Sequence, residues 1–197
     1  MGLHETLKLA AATLRDAGVP FALAGSAAAW ARGAPEPRND IDFVVEPSDA
    51  GRAERALAAA GMRTERPPEG WLLKAWHGDV MIDVIWDLEG CPDVRAVIER
   101  AQELTVDAVP MRVVAIDDVI ASKLCAFDEH ELDFTAPLAI ARALREQIDW
   151  ASVRERTARS PHARGFLALL EELGVIARAA PADRGDSHPR VRVVSGD

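Results

Sequence analysis

Two aspartates, Asp40 and Asp42, lie one residue apart in DIDFVV, a run whose other residues suit a buried strand. Residues two apart in a strand point to one face, so the carboxylates project side by side while Ile41 and Phe43 face a core. Two ionised carboxylates this close raise each other's pKa unless a cation lies between them. A hard divalent ion with oxygen ligands, Mg²⁺ before Mn²⁺, resolves that conflict. The plainer alternative puts both acids toward solvent on an edge strand. A third acid, Asp83, stands in DVMIDVIW, a second strongly apolar run. Burying an unpaired carboxylate costs several kcal/mol, so Asp83 needs a cation or a donor. If the two strands are neighbours, Asp83 becomes the third ligand, with Asp40 and Asp42, of one shared metal site.

Gly25-Ser26 follows the short apolar run FALA and precedes a run of small residues. Glycine lets a phosphate approach the backbone, and the first turn of a helix offers free N–H groups. Taken alone, Ser26 reads equally as an ordinary N-cap. The connection adds weight, since thirteen residues separate Ser26 from Asp40, enough for a short helix and a return into the neighbouring strand. A triphosphate held at Gly25 and Ser26 would then lie alongside the aspartates. Lys123 shares a helical face with Val119, Ile120 and Phe127. It either turns its ammonium into a cleft to neutralise triphosphate charge or carries it out to water. Arg38, two residues before Asp40, is placed to meet phosphate or acceptor, or simply decorates a polar loop. Trp76 and His77 could stack on a base or pack in the interior.

The elements that must position these groups follow from periodicity. Leu3 to Ala17 has the apolar spacing of an amphipathic helix and stops at Gly18. Phe21 to Ala24 predicts a strand, Ser26 to Ala31 a helix, Asp40 to Glu46 a strand and Ser48 to Ala60 a helix. Trp71 to His77 and Val80 to Trp86 flank Gly78-Asp79, a hairpin signal. Strands at Leu104 to Val109 and Met111 to Val114 are separated by Pro110. Helical spacing then covers Asp117 to Glu131, Ala136 to Glu146, Ala151 to Arg159 and Pro161 to Arg178. The expectation is an α/β (α+β) chain, a small mixed sheet packed with helices over residues 1–115, a C-terminal helical region over 116–180 and a polar tail over 181–197. Val191, Val193 and Val194 could add an edge strand.

The chain has 197 residues, is 49% hydrophobic and has no apolar run approaching the roughly 20 residues that span a bilayer. A soluble, cytoplasmic protein is expected, because the N-terminal segment carries charges at helical intervals rather than the unbroken apolar core of a signal peptide. Two cysteines, Cys91 and Cys125, are too few for a disulfide framework and lack a metal-ligand spacing. The formal net charge is −9, which repels nucleic acid unless basic groups are locally concentrated. Only Lys8, Lys74 and Lys123 among the 23 basic residues are lysine, so a retained lysine is mildly informative.

The combination Ala24-Gly25-Ser26, Asp40-Ile41-Asp42-Phe43 and Asp83 resembles the signature of the nucleotidyltransferase superfamily with the DNA polymerase β-like fold. Lys123-Leu124-Cys125-Ala126, Asp133 ten residues on, and Gln147-Ile148-Asp149-Trp150 resemble the helical half of AbiEii and MenT-type toxins. Those toxins usually have an Arg between the Lys and the Asp, where this chain has Asp128, Glu129 and His130. The resemblance implies Mg²⁺ at Asp40, Asp42 and Asp83, phosphate binding at Gly25, Ser26, Arg38 and Lys123, and a part for Asp133. It further implies transfer of a nucleotide, often a pyrimidine, from an NTP to the 3′ acceptor end of tRNA, blocking aminoacylation until a cognate antitoxin intervenes. Arg142, Arg145, Arg154, Arg156, Arg159 and Arg164 concentrate positive charge in the helical half, as a tRNA acceptor needs, although Glu146, Asp149 and Glu155 dilute it. Aminoglycoside and lincosamide nucleotidyltransferases share the Gly-Ser and D-x-D elements, and an acidic chain suits a cationic acceptor. A catalytically silent nucleotide- or partner-binding relative is the third possibility.

Overall fold

Buried and partly exposed side chains alternate strictly in β5 (Val80–Ile85): Val80, Ile82 and Val84 are buried, while Met81, Asp83 and Ile85 are only partly so. The neighbouring β2 (Asp40–Val45) starts the same way, with Ile41 and Phe43 buried and Asp40 and Asp42 partly open. A sheet closed on one face and partly open on the other is what this alternation produces. The computed structural model describes residues 2–38, 40–130 and 132–178. The expected tail strand at Val191, Val193 and Val194 lies outside them.

Seven strands form one mixed sheet. The others are β1 (Phe21–Ala24), β3 (Arg63–Glu65), β4 (Leu72–His77), β6 (Gln102–Val106) and β7 (Val109–Val113), in the order β3-β4-β5-β2-β1-β7-β6. The central β2 runs antiparallel to β1 and parallel to β5, so the chain must leave the sheet and return between them. Eight helices occur among the described residues. α1 (Leu3–Asp16) packs on α3 (Ala50–Ala59) and β2, α3 on β3 and β4, and α4 (Val94–Arg100) on β2. α2 (Gly25–Trp30) contacts β1, β2 and α5 (Ile116–Cys125), which in turn meets α6 (Thr135–Leu144), α7 (Trp150–Arg156) and α8 (Pro161–Glu172). The mixed α/β fold expected from the sequence is thus the one observed.

Several boundaries differ from expectation. The hairpin joining β6 and β7 turns at Asp107-Ala108, both at positive φ, and Pro110 sits inside β7 opposite Thr105 rather than between two strands. β3 and α4 carried too few residues for periodicity to register, although Asp93 caps α4 by accepting from the Ala96 N–H. α5 ends at Cys125, six residues before the expected Glu131. Ser26 is not an N-cap: α2 begins one residue earlier at Gly25, its N-cap is Ala24, and no side chain caps it.

Candidate active site

The register of three strands brings the acids together. Asp42 is paired with Asp83 across β2 and β5 and with Ala24 across β1, and Asp40 stands opposite Met81. Residues opposite one another share a face, so Asp40, Asp42 and Asp83 all project from the open side. Gly25 follows Ala24 with φ +55, and a Cβ built there would overlap the Asp42 carboxylate. Gly25 therefore meets two requirements, a left-handed backbone and a side-chain-free surface against which Asp42 lies. Gly25→Ala is expected to push Asp42 off the sheet and lower the transfer rate at least about a hundredfold. A stopped transfer assay beside a thermal melt checks it, since near-native activity would mean that Asp42 tolerates the shift.

Burial, above all, pushes the Asp42 carboxyl up to about 6; Lys123 opposes this, Asp40 and Asp83 add to it, and Lys74 opposes it. Two acids and two lysines thus act on one carboxylate. Lys123 lines a cavity of about 150 Å³ with Gly25, Asp42, Ile85, Leu88 and Ser122, and its charge acts on the Asp42 carboxyl. A wider groove of about 560 Å³ is bordered by Ser26, Glu36, Arg38, Asp40 and Asp133. Every residue expected to hold metal or phosphate, and Asp133 with them, therefore borders one of these two cavities except Asp83, which pairs in register with Asp42. Asp133 also serves its own loop, where its Oδ1 accepts from the Thr135 N–H at the start of α6; the Thr135 side chain first, and then that N–H, hold its carboxyl below the usual range. A depression of about 730 Å³ lies away from these acids, around Arg15, Phe21 and Arg112.

Sequence reasoning missed Lys74. Its Nζ donates to both Asp83 oxygens, at 3.1 and 3.3 Å, supplying the partner that a carboxylate in an apolar strand requires. The signal was available, because a two-residue Gly78-Asp79 turn sets His77 opposite Val80 and hence Lys74 opposite Asp83. Trp76 and His77 are engaged elsewhere: the Arg63 guanidinium stacks 3.6 Å from the Trp76 ring centroid, and His77 Nδ1 bonds the Thr6 hydroxyl at 2.9 Å. Among the described residues no trio of His, Cys, Asp or Glu is already gathered as metal ligands. The donor set nonetheless fits a hard divalent cation, for Asp42 is crowded by two like charges and all three acids share one open face.

Over residues 2–175 the sequence matches the family described as uncharacterised nucleotidyltransferase. The chain belongs to that family. This nucleotidyltransferase shares its fold with the antibiotic-resistance factor ANT(2'')-Ia, whose solution structure matches with a TM-score of 0.61 and 17% identity, covering 87% of this chain and 96% of that one. The crystal structure of ANT(2'')-Ia in complex with adenylyl-2''-tobramycin matches with a TM-score of 0.51 and 16% identity over 87% and 98% of the two chains. No curated protein matches the sequence significantly. Among the described residues no helix is long and apolar enough to cross a membrane.

Proposed function

We propose that this nucleotidyltransferase moves a nucleotidyl group from an NTP to a hydroxyl of a cationic small molecule of aminoglycoside type, with Mg²⁺ held by Asp40, Asp42 and Asp83. The observation that carries the acceptor class is the charge of the groove beside Asp40. Beside Asp40, whose charge the cations would take up, Glu36 and Asp133 border it against one base, Arg38. Such a surface attracts an amine-bearing acceptor and repels a polyphosphate chain longer than the NTP itself. Three of the six arginines that an RNA acceptor would use are paired within the chain. Arg154 pairs with Glu171 at 2.6 Å, Arg156 with buried Asp118 at 2.8 Å and Arg145 with Glu146 at 3.0 Å. The shared fold with ANT(2'')-Ia supports the same acceptor class.

In this reading Ser26 and the Gly25 backbone bind the β- and γ-phosphates, and Lys123 adds positive charge from α5. Arg38 meets phosphate or acceptor at the groove rim. Two divalent ions at the aspartates would stabilise charge on the transferring phosphate and acidify the acceptor hydroxyl. Asp83 receives the proton of that hydroxyl. The hydroxyl oxygen bonds to the α-phosphorus as the bond from the α-phosphorus to the bridging oxygen breaks, and pyrophosphate leaves.

Incubation with Mg²⁺, each α-labelled NTP, a panel of aminoglycosides and total tRNA tests the proposal. Label on an aminoglycoside with equimolar pyrophosphate and none on tRNA is the expected result. Label confined to tRNA would sink it in favour of a second reading, a toxin that adds nucleotides, often pyrimidines, to the tRNA 3′ end and is held in check by an antitoxin. That reading draws support from Lys123 and Asp133, which border the cavities around Asp42 and Asp40 and match the toxin pattern.

A further inference from the structure

We propose that Lys74 is a positioning residue for nucleotidyl transfer, a built-in counter-cation that holds the Asp83 carboxylate on the open face and gives it up when a divalent ion is bound. The inference rests on the metal-dependent reading above. Lys74 Nζ reaches both Asp83 oxygens, at 3.1 and 3.3 Å, and the Met81 sulfur at 3.6 Å. With both oxygens in contact with the ammonium, Lys74 competes with a divalent ion for Asp83. The Lys74 side chain is 30% exposed and the Asp83 side chain 17%, so the pair lies at the boundary where an ammonium can leave for water without a large desolvation cost.

The residue type supports exchange rather than a permanent tie. Arginine would grip the carboxylate through a rigid two-pronged fork, whereas lysine offers one point charge on a flexible stem. Lysine is the exception in this chain, three of 23 basic residues, yet two of those three act on the Asp42 carboxyl. One of them, Lys123, comes from α5. The other, Lys74, comes from the strand beside Asp83, where hairpin register alone fixes the pairing. A purely structural ion pair on that hairpin would have no reason to sit against the acids of the cleft.

Electron paramagnetic resonance of free Mn²⁺, titrated into the full chain without nucleotide, reads the competition directly. Wild type, Lys74→Met, Lys74→Arg and Asp42→Asn are compared. Lys74→Met should bind Mn²⁺ about tenfold more tightly than wild type, because the competing charge is gone, while Lys74→Arg binds no more tightly than wild type. Equal or weaker Mn²⁺ binding by Lys74→Met overturns the inference while leaving the metal reading in place. Absence of any wild-type binding that Asp42→Asn removes overturns the metal reading, and the inference with it. Lys74→Gln, which keeps a polar head group, supplies the same comparison if the methionine variant does not fold.

Discussion

Asp42→Asn is expected to abolish nucleotidyl transfer and, in the same protein, to raise stability at neutral pH. The two effects have one cause. Asp42 is pressed against Gly25 in a half-buried position with Asp40 and Asp83 as neighbours, and its carboxyl is pushed up from 3.8 to about 6. Between those values the folded chain keeps a proton that the unfolded chain has lost, so stability declines as pH rises from about 4 to about 6 and stays low above. At pH 8 the ionised carboxylate costs roughly 2–3 kcal/mol. A neutral amide of the same shape removes that cost. Urea denaturation should therefore show Asp42→Asn more stable than wild type at pH 8 and no more stable at pH 4. An equal gain at both pH values would mean that charge is not the cause. The transfer rate should fall on the order of a thousandfold or more, since one of three acids proposed to hold the cations is lost. Mn²⁺ should raise the melting temperature of wild type and leave the variant unchanged, because only the wild type binds it in the folded state.

How far this site was legible from the chain depends on whether a residue's role is set locally. Asp40 and Asp42 announce themselves through period two in an apolar run, and Asp83 through the improbability of an acid inside VMIDVIW. Gly25 announces itself less plainly. Its sequence context suggested a phosphate loop, but the reason that only glycine fits, contact with the Asp42 carboxylate, appears when β1 and β2 are placed side by side. Lys74 is readable in principle from hairpin register, but a lysine in a strand fits equally a head group carried out to water. The arginines of the helical half are legible only in part. Their number is visible in the sequence, while their partners Glu171 and Asp118 lie 17 and 38 residues away and become neighbours only after the helices pack. Boundaries failed where local signals conflict, as at Pro110, which reads as a break and instead lies within β7 where its partner is Thr105.

Asp118→Ala is expected to cost about 3 kcal/mol of folding stability and to awaken a silent thiol. Asp118 is 1% exposed and is gripped by Arg100 through two bonds of 2.8 Å and by Arg156 at 2.8 Å, so α4, α5 and α7 meet on one carboxylate. Removing one member of a buried ion cluster costs roughly 3–5 kcal/mol when the remaining charges stay buried. Here the Arg100 and Arg156 side chains keep 45% and 26% of their surface, which places the loss toward the low end. Cys91 supplies an independent readout. Burial, and then Asp118, pushes its thiol up to about 11, while Arg156 and Arg100 pull the other way. Without the carboxylate only burial opposes two arginines, one of which already donates to the sulfur at 3.0 Å. The thiol pKa must then fall, and alkylation of Cys91 at pH 8 should quicken relative to wild type. A shift of the alkylation pH profile to lower pH, rather than the rate alone, separates thiol activation from opening. Unchanged alkylation together with unchanged stability would show that the arginines are free for an acceptor after all, and would return weight to RNA.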